Sequence, residues 1–233
     1  MLEDGSFVRL YPIDYRYRSY DQWYKKYQWI EVEVEKHDPR KDARKESYRP
    51  TGTIRVLGSP LDTRNAWEAR RNVVLKQCPT SIEALRDAQE ADNTRLGLVR
   101  PKSVHDLVIE SDRQDWKPKW KADMQQLRLF GPDRKPLQKL PYKFSYRFSC
   151  DDPRCKGRHK MMIQDWEVDR LYWGELARLG DREKAAQSVR AKFFDEMCSP
   201  AKDVHFFVGT VLKYGTWIVL GVFWPPRTPL TLF

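Results

Sequence analysis

The stretch from Tyr142 to Ser149 (YKFSYRFS) alternates strictly between aromatic and polar side chains. A β-strand places successive side chains on opposite faces, so one face of this strand would be aromatic and the other would carry Lys143 and Arg147. We expect the aromatic face to lie in the core, which leaves both cations in solvent. If it were exposed instead, it would form a platform for stacked bases. Both arrangements indicate contact with nucleic acid.

Basic charge is concentrated around this strand. The chain of 233 residues has 43 Lys and Arg against 33 Asp and Glu, a formal net charge of +10. Residues 117–160 alone contain 13 basic and 4 acidic residues, a net of +9. The simplest alternative is a charged surface that keeps the protein soluble. The aromatic residues between the cations favour a surface for polyanions, and for nucleic acid in particular.

The candidate nucleic-acid-binding residues belong to two basic and aromatic clusters. One is the segment 117–160, and the other lies in residues 11–29, which hold six of the eleven tyrosines. The pattern does not distinguish DNA from RNA. The candidates are Arg16, Arg18, Lys117, Lys119, Lys121, Lys143, Arg147, Arg154, Lys156, Arg158 and Lys160.

Segments with the periodicity of strands and segments with that of helices follow one another along the chain. Strict alternation in Trp29–Lys36 (WIEVEVEK) predicts a strand, and the polar residues 37–52 predict a loop or a long hairpin tip. A capping box formed by Thr80 and Glu83 predicts the start of one helix. Helices are predicted at 64–77, 81–92, 119–127, 169–179 and 182–197. Further strands are predicted at 7–11, 53–57, 97–100, 104–110, 143–150, 160–168, 204–212 and 216–223.

This order predicts an α+β, β-dominated fold. Strands interrupted by a helix pair in each half indicate two small OB-like or barrel-like β units, not the alternating pattern of a parallel sheet. We place the first unit at residues 1–116 and the second, which contains the basic segment, at residues 117–233.

A cysteine and histidine group follows the aromatic strand directly. Cys150, Cys155 and His159 have the spacing C-x4-C-x3-H in a turn between two predicted strands, where a structural zinc ion is common. Zinc prefers four ligands, so a fourth would have to come from elsewhere. We considered Cys198, His205 and Asp151 for that role. The alternative is a plain hairpin with two reduced thiols.

Acidic residues on strands raise the alternative of a metal-dependent nuclease. Candidate magnesium ligands are Glu31, Glu33, Asp165 and Glu167. The residue two positions after Glu33 is an acid and not the Lys of restriction-type nucleases, and carboxylates on an alternating strand usually face solvent. No glycine-rich phosphate loop or serine elbow occurs. A binding protein without catalytic residues is therefore favoured over an enzyme.

Two short segments could bind a protein partner. Gln126 to Phe130 (QLRLF) resembles the pentapeptide that bacterial replication proteins insert into the sliding clamp, and the C-terminal Pro229 to Phe233 (PLTLF) matches its end. The tail is the better candidate because it follows two prolines. An adaptor that docks on a clamp or on a larger effector through Leu230, Leu232 and Phe233 is thus a further alternative.

Four longer segments resemble one group of prokaryotic proteins. They are GSFVRLYPI (5–13), TRLGLVRPK (94–102), HKMMIQDWEV (159–168) and FFVGTVLKYGTWIVLGVFWPP (206–226). In that group the arrangement is similar to tandem OB-like domains encoded near mobile-element and defence genes. The resemblance implies nucleic-acid or nucleotide binding, as an accessory subunit of a nucleic-acid-processing or defence system. It supplies no active site.

The chain lacks the signals of export and membrane insertion. No apolar run approaches the roughly 20 residues of a membrane helix, and MLEDGSF is unlike a secretory signal. Four cysteines at irregular spacing are better interpreted as reduced thiols or metal ligands than as a disulfide framework. We therefore expect a cytoplasmic protein without membrane contact.

Overall fold

The computed structural model describes residues 1–13, 15, 23–77, 80–118, 138–212 and 215–227. The fold is α+β and rich in sheet, as the sequence predicts, and a helix pair lies in each half of the chain. Every helix in these described ranges is too short or too polar to cross a lipid bilayer.

Eleven strands and four α-helices make up the described structure. The strands are β1 (Arg9–Leu10), β2 (Trp29–Glu31), β3 (Val34–Lys36), β4 (Ser47–Pro50), β5 (Arg55–Leu57), β6 (Leu96–Val99), β7 (Pro101–Ser111), β8 (Tyr142–Cys150), β9 (His159–Met162), β10 (His205–Thr210) and β11 (Trp217–Phe223). The helices are α1 (Arg64–Val74), α2 (Ile82–Asp92), α3 (Trp166–Leu179) and α4 (Arg182–Arg190), and a π-helical turn (Ala191–Glu196) extends α4.

The second half of the chain forms a partly open barrel. Strands β6 and β7 are separated only by Arg100 and act as one long first strand, which pairs with β10 at one end and with β8 at the other. Strand β8 also pairs with β9, and β10 also pairs with β11. A parallel bridge between Ile163 and Val219 brings β9 to β11, where Gln164 N donates to Val219 O at 2.8 Å. This bridge is isolated, so the barrel stays partly open between β9 and β11.

This connectivity is that of an OB-like barrel, a five-stranded and partly open architecture. The first strand is β6–β7, and β8, β9, β10 and β11 follow in chain order. Helices α3 and α4 lie between the third and fourth strands. Residues 112–141, which overlap the basic segment 117–160, connect the first strand to the second.

The described residues of the first half form two small sheets and not the barrel-like unit that the sequence predicts there. One has the order β1-β4-β3 and the other pairs β2 with β5. The predicted strand 29–36 is divided into two because its partner switches from β5 to β4 where Thr51 N donates to Glu33 O. Strands β6 and β7 belong by sequence to the predicted first unit but bond to β8 and β10. Sheet hydrogen bonds therefore cross the predicted division between residues 116 and 117.

Aromatic side chains fill the barrel core. Phe144, Tyr146 and Phe148 of β8 are fully buried, which confirms that the aromatic face of this strand points inward. The ring of Tyr146 stacks on Phe206 of β10 at 4.6 Å, and its hydroxyl donates to Phe193 O at 2.6 Å. Strand β8 is thus joined to β10 and to the π-helical turn.

Two local expectations are corrected. The predicted strand 160–168 ends at Met162, because Asp165 caps α3 by accepting a hydrogen bond from Glu167 N at 3.0 Å. Helix α2 is capped by Ser81, not Thr80, and Ser81 accepts from Ala84 N. The Glu83 side chain does not fold back onto the cap. It points to the cysteine hairpin, where its carboxylate lies 3.0 Å from His159 Nε2.

Candidate functional site

The outer face of the barrel carries a row of cations on its second and third strands. In the sheet register, Arg147 of β8 lies between Asp106 of β7 and Lys160 of β9, and Lys143 lies opposite Glu110. All three cations of the row are exposed, in contrast to the aromatic residues that alternate with them. The sequence placed these three residues on one surface, and the structure does the same.

These cations differ in how far nearby carboxylates neutralise them. Lys160 Nζ lies 2.8 Å from a carboxylate oxygen of Glu110, and this hydrogen bond is the main reason that the pKa of Glu110 is lowered. Lys143 Nζ lies 3.4 Å from Asp112, which also accepts from Lys139 at 2.7 Å. The positive charges of Lys160 and Lys143 are therefore partly balanced by these carboxylates.

Arg147 is the least neutralised member of the row. The carboxylate opposite it, Asp106, is held instead by Arg190 of α4 at 3.0 Å. Among the described residues, no carboxylate lies within ion-pair distance of Arg147. Its charge is therefore available to an external anion.

The hairpin tip between β8 and β9 adds three cations. Arg154 is bound to Asp87 at 2.7 Å and to Asp152 at 3.2 Å, and its hydrogen bonds hold the pKa of Asp152 well below the usual range. Lys156 and Arg158 are exposed and have no ion pair with any residue that the structure describes. They are more available for binding than Arg154.

Other predicted binding residues fall outside the described ranges. Lys117 is exposed where the basic segment begins. Arg16, Arg18, Lys119 and Lys121, the segment 126–130 and the tail residues Leu230, Leu232 and Phe233 are not among the residues described. Their proposed roles stay predictions.

The three predicted zinc ligands converge. Cys155 Sγ lies 3.2 Å from His159 Nε2, and Cys150 N donates to Cys155 Sγ at 3.2 Å. Glu83 joins them, and one ligand atom from each of the four residues lies within 4.8 Å of all the others. Burial raises the pKa of the Cys150 thiol to about 12 and is the main cause that lowers the pKa of His159.

The residues considered for the fourth ligand position lie elsewhere. Cys198 Sγ donates to Phe193 O at 3.4 Å, and its pKa is raised to about 12 by burial. His205 is buried with its Nδ1 beside Asp203 O, and Asp151 is exposed and paired with Lys102. The sequence could have pointed to Glu83 only through its position in the first turn of α2.

The candidate nuclease carboxylates do not form one metal-ligating group in the described part of the chain. Glu31 is exposed and paired with Arg55, and Glu33 is exposed beside Gly52. Asp165 caps α3, and Glu167 bonds to Lys26 at 2.8 Å. Burial raises the pKa of Asp165, although Lys26 opposes the shift.

An aromatic cavity of about 700 Å³ lies between the first half of the chain and the barrel. Cations stand over its rings: Arg70 Cζ is 4.3 Å from the ring centroid of Tyr27, and Lys192 Nζ is 5.1 Å from that of Trp224. No pattern in the sequence predicts this cavity, and the nine tryptophans in the composition are the only signal of it. Its lining includes the aromatic residues Tyr27, Trp67, Trp166 and Trp224 and the cations Arg70 and Arg170.

Two aromatic residues of the cavity have unusual backbone conformations. Tyr27 has φ of 64° and Trp67 has φ of 65°, in the left-handed region that bulky residues rarely occupy. Such conformations cost free energy and are found preferentially at functional sites. Both rings lie beside the Arg70 guanidinium, whose Cζ is 4.3 Å from the ring centroid of Tyr27 and 4.9 Å from that of Trp67.

Together these features define an α+β protein with a partly open barrel, a cationic outer face and an aromatic cavity. Residues 78–233 match the family model described as "Domain of unknown function (DUF8757)", and residues 1–76 match that described as "Domain of unknown function (DUF8758)". Because the first match covers more than half of the chain, the protein belongs to the DUF8757 family. No curated protein and no solved structure matches the chain.

Proposed function

We propose that this protein is a nucleic-acid-binding module that holds a phosphate backbone along the outer face of β8 and β9. The observation that carries the proposal is the position of Arg147, Lys156 and Arg158. All three are exposed on the second and third barrel strands or on the hairpin between them, without ion pairs to described residues. In OB-like barrels this face and the loops beside it are the surface that binds oligonucleotides.

The connection between the first and second strands supports the same surface. Residues 112–141 contain eight Lys and Arg and four Asp and Glu, and they join β7 to β8 directly beside Lys143. Basic groups on a barrel face and on its adjoining loop can follow one backbone, and their binding releases condensed counterions. Together with the resemblance to proteins of mobile-element and defence loci, this favours an accessory role in a nucleic-acid-processing or defence system.

The test is the salt dependence of binding. In the face variant, Lys143, Arg147, Lys156 and Arg158 are changed to Ser. Each lost phosphate contact should flatten the slope of log affinity against log salt by about 0.9 on B-form DNA, so the total change should be about 3 to 4. The measurement is a titration of labelled duplex DNA, single-stranded DNA and single-stranded RNA at several salt concentrations.

The matched control variant removes the same amount of charge elsewhere. It changes Arg40, Lys45, Arg49 and Arg55 to Ser, all of which are solvent-exposed in the first half. Its slope should stay close to that of the parent protein. An unchanged slope for the face variant, or equal flattening in both variants, would refute the proposal.

The alternative that the protein is a metal-dependent nuclease is tested in the same samples. Cleavage of the labelled duplex that requires a divalent metal, and that is lost when Asp165 and Glu167 are changed to Ala, would replace the binding proposal with an enzymatic one. We expect no cleavage, because Asp165 and Glu167 are engaged in capping α3 and in binding Lys26.

A second candidate function is the binding of a free nucleotide in the aromatic cavity. Its volume of about 700 Å³ is in the range of small-molecule sites, and aromatic walls beside cations suit a planar base with an attached phosphate. Trp166 is 63% exposed, with Arg170 Cζ 5.8 Å from its ring, and could close over a stacked base.

Tryptophan fluorescence tests this second function. Adenosine and guanosine monophosphates should quench the emission of the parent protein in a saturable way, and Trp166→Ala should weaken the affinity. Trp23→Ala, which removes another exposed tryptophan, is the control. Quenching that does not saturate, or that is equally affected by both substitutions, would exclude the cavity as the nucleotide site.

A further inference from the structure

We infer that Glu83, Cys150, Cys155 and His159 bind a structural zinc ion, which fastens the β8–β9 hairpin to the first turn of α2. This inference does not depend on the proposed nucleic-acid function. It assigns the fourth ligand to a residue far from the other three in sequence.

The positions of the four donor atoms fit a tetrahedral ion. Zinc bonds of about 2.0 to 2.3 Å place ligand atoms roughly 3.3 to 3.8 Å apart. Here Cys155 Sγ and His159 Nε2 are 3.2 Å apart, and His159 Nε2 and Glu83 Oε1 are 3.0 Å apart. All four donors lie within 4.8 Å of one another, so an ion at their centre requires only small side-chain shifts.

Backbone N–H groups point at both sulfur atoms of the cluster. Cys155 Sγ accepts from Cys150 N at 3.2 Å and from Gly157 N at 3.4 Å, and Cys150 Sγ accepts from Ile82 N at 3.5 Å. The thiolate is the form that binds metal, and hydrogen bonds of this kind orient a metal-bound ligand. Gly157 has φ of +67°, a conformation that glycine adopts without strain.

The burial of Glu83 is independent evidence that the cluster binds a metal ion. Its side chain is only 11% exposed, and its second carboxylate oxygen, Oε2, is buried without a hydrogen-bond partner among the described residues. A buried carboxylate oxygen without a partner is costly. A metal ion bound through Oε2, alone or together with Oε1, would remove that cost.

The four donor atoms determine which metal ion the site favours and whether the ion is structural or catalytic. Two sulfur atoms and one imidazole nitrogen favour zinc over magnesium or calcium, which prefer oxygen ligands. Four protein ligands with little exposure leave no open position for water, and sites of that kind are structural. Two thiolates and one carboxylate leave a net charge of −1 on the zinc-bound site, which the nearby cation Arg86 can offset.

The experiment uses the full chain purified without chelators. We expect one zinc ion per chain by elemental analysis. After exchange to cobalt, we expect the intense visible bands of a tetrahedral site and a sulfur-to-cobalt charge-transfer band. Cys155→Ser should reduce the charge-transfer intensity by about half, since one of two thiolates is lost. Glu83→Gln should weaken zinc binding at least about tenfold in competition with a chromophoric chelator, with the sulfur band kept.

Cys198→Ser is the matched control, because this cysteine lies outside the cluster and its thiol donates to Phe193 O. It should retain full zinc content and the full cobalt spectrum. If Cys155→Ser does not fold, Glu83→Gln and Cys198→Ser still decide the question. Folded protein that binds no zinc as purified or on titration, equal zinc loss in Cys198→Ser, or a disulfide between Cys150 and Cys155 would overturn the inference.

Discussion

At the scale of single residues, Asp165 shows how the fold sets the chemistry of a side chain. One carboxylate oxygen caps α3 through Glu167 N, and the other, Oδ2, is buried without a hydrogen bond to a described residue. Lys26 Nζ stands 3.9 Å from that oxygen. Burial is the largest influence and raises the pKa of Asp165, so the folded state disfavours its charged form.

The raised pKa of Asp165 predicts the pH dependence of one variant. Above the folded-state pKa the buried charge destabilises the native state. Below the unfolded value of about 3.9 the group is protonated in both states and the penalty vanishes. Asp165→Asn keeps a capping side chain without the charge. It should therefore have a Tm at or above that of the parent at pH 7, and this advantage should shrink as the pH falls through that range.

Thermal melts across pH measure this effect, and Asp165→Ala separates capping from charge. The Ala variant lacks the cap and should lose about 1 kcal/mol relative to Asn at every pH. An Asn variant that is less stable than the parent at pH 7, with a deficit that disappears in acid, would show that the Asp165 charge is favourable.

Three of the four residues in the cysteine cluster could be identified from the sequence, and the fourth could not. Cys150, Cys155 and His159 lie within ten residues, and their spacing made them candidates for one metal site, with a plain hairpin as the alternative. Glu83 lies 67 residues before Cys150, and its local sequence indicated a capping box instead. Only the packing of α2 against the hairpin, which no local pattern encodes, brings its carboxylate to His159.

At the scale of elements, β8 has a buried aromatic face and an opposite face that exposes Lys143 and Arg147. Phe148 points into the core and its ring contacts Phe206 edge to face at 5.3 Å, whereas Arg147 beside it is exposed. The alternation of this strand was strong enough to predict both faces correctly.

Two neighbouring substitutions test this difference between the two faces. Phe148→Ala should destabilise the protein by about 3 to 5 kcal/mol, because it removes a buried ring and leaves a cavity. Arg147→Ser should change the free energy of unfolding by less than about 0.5 kcal/mol, as expected for an exposed site without partners. Urea unfolding measures both. A large loss of stability in Arg147→Ser would show that Arg147 has a structural role.

Most helices and strands were predicted within a few residues, because their apolar periodicity is a local property. The exceptions have identifiable causes. The strand 29–36 is interrupted where its pairing partner changes, and β9 ends early because Asp165 starts a helix. Partner choice and capping both depend on structure outside the alternating segment.

At the scale of the whole molecule, polar contacts join the first half to the barrel. Arg71 of α1 donates to Asp203 at 3.0 Å and to Pro226 O at 2.7 Å, and Arg100 also pairs with Asp203. Glu46 is buried and accepts hydrogen bonds from Arg95 N and Leu96 N at the start of β6. The regions matched by the two family models therefore share an interface.

Removing Asp203 tests the strength of this interface. Arg71 and Asp203 are both largely buried, so Asp203→Ala leaves a buried cation without its partner and should cost about 3 kcal/mol. The control Glu35→Ala breaks an exposed pair with Arg49 and should cost at most about 1 kcal/mol. Chemical unfolding followed by tryptophan fluorescence measures both. Equal, small effects would mean that the contact contributes little to holding the two regions together.

The order in which the barrel strands pair could not be predicted from the sequence. The pattern predicted strands near residues 97–100 and 104–110 but assigned them to the first unit, since neighbours in sequence usually pair. In the structure these strands pair with β8 and β10, up to about 110 residues away. The aromatic cavity escaped prediction for the same reason, because Trp67, Trp166 and Trp224 come from three distant segments.

The most direct test of nucleic-acid binding by the barrel face is lysine footprinting on the native protein. Acetylation of the free protein and of its complex with single-stranded or duplex oligonucleotide is compared residue by residue using mass spectrometry. Lys143, Lys156 and Lys160 should be protected in the complex, while the exposed Lys45 and Lys184 should react equally in both states. Protection of Lys45 or Lys184 with full reactivity of Lys143 and Lys156 would contradict the account.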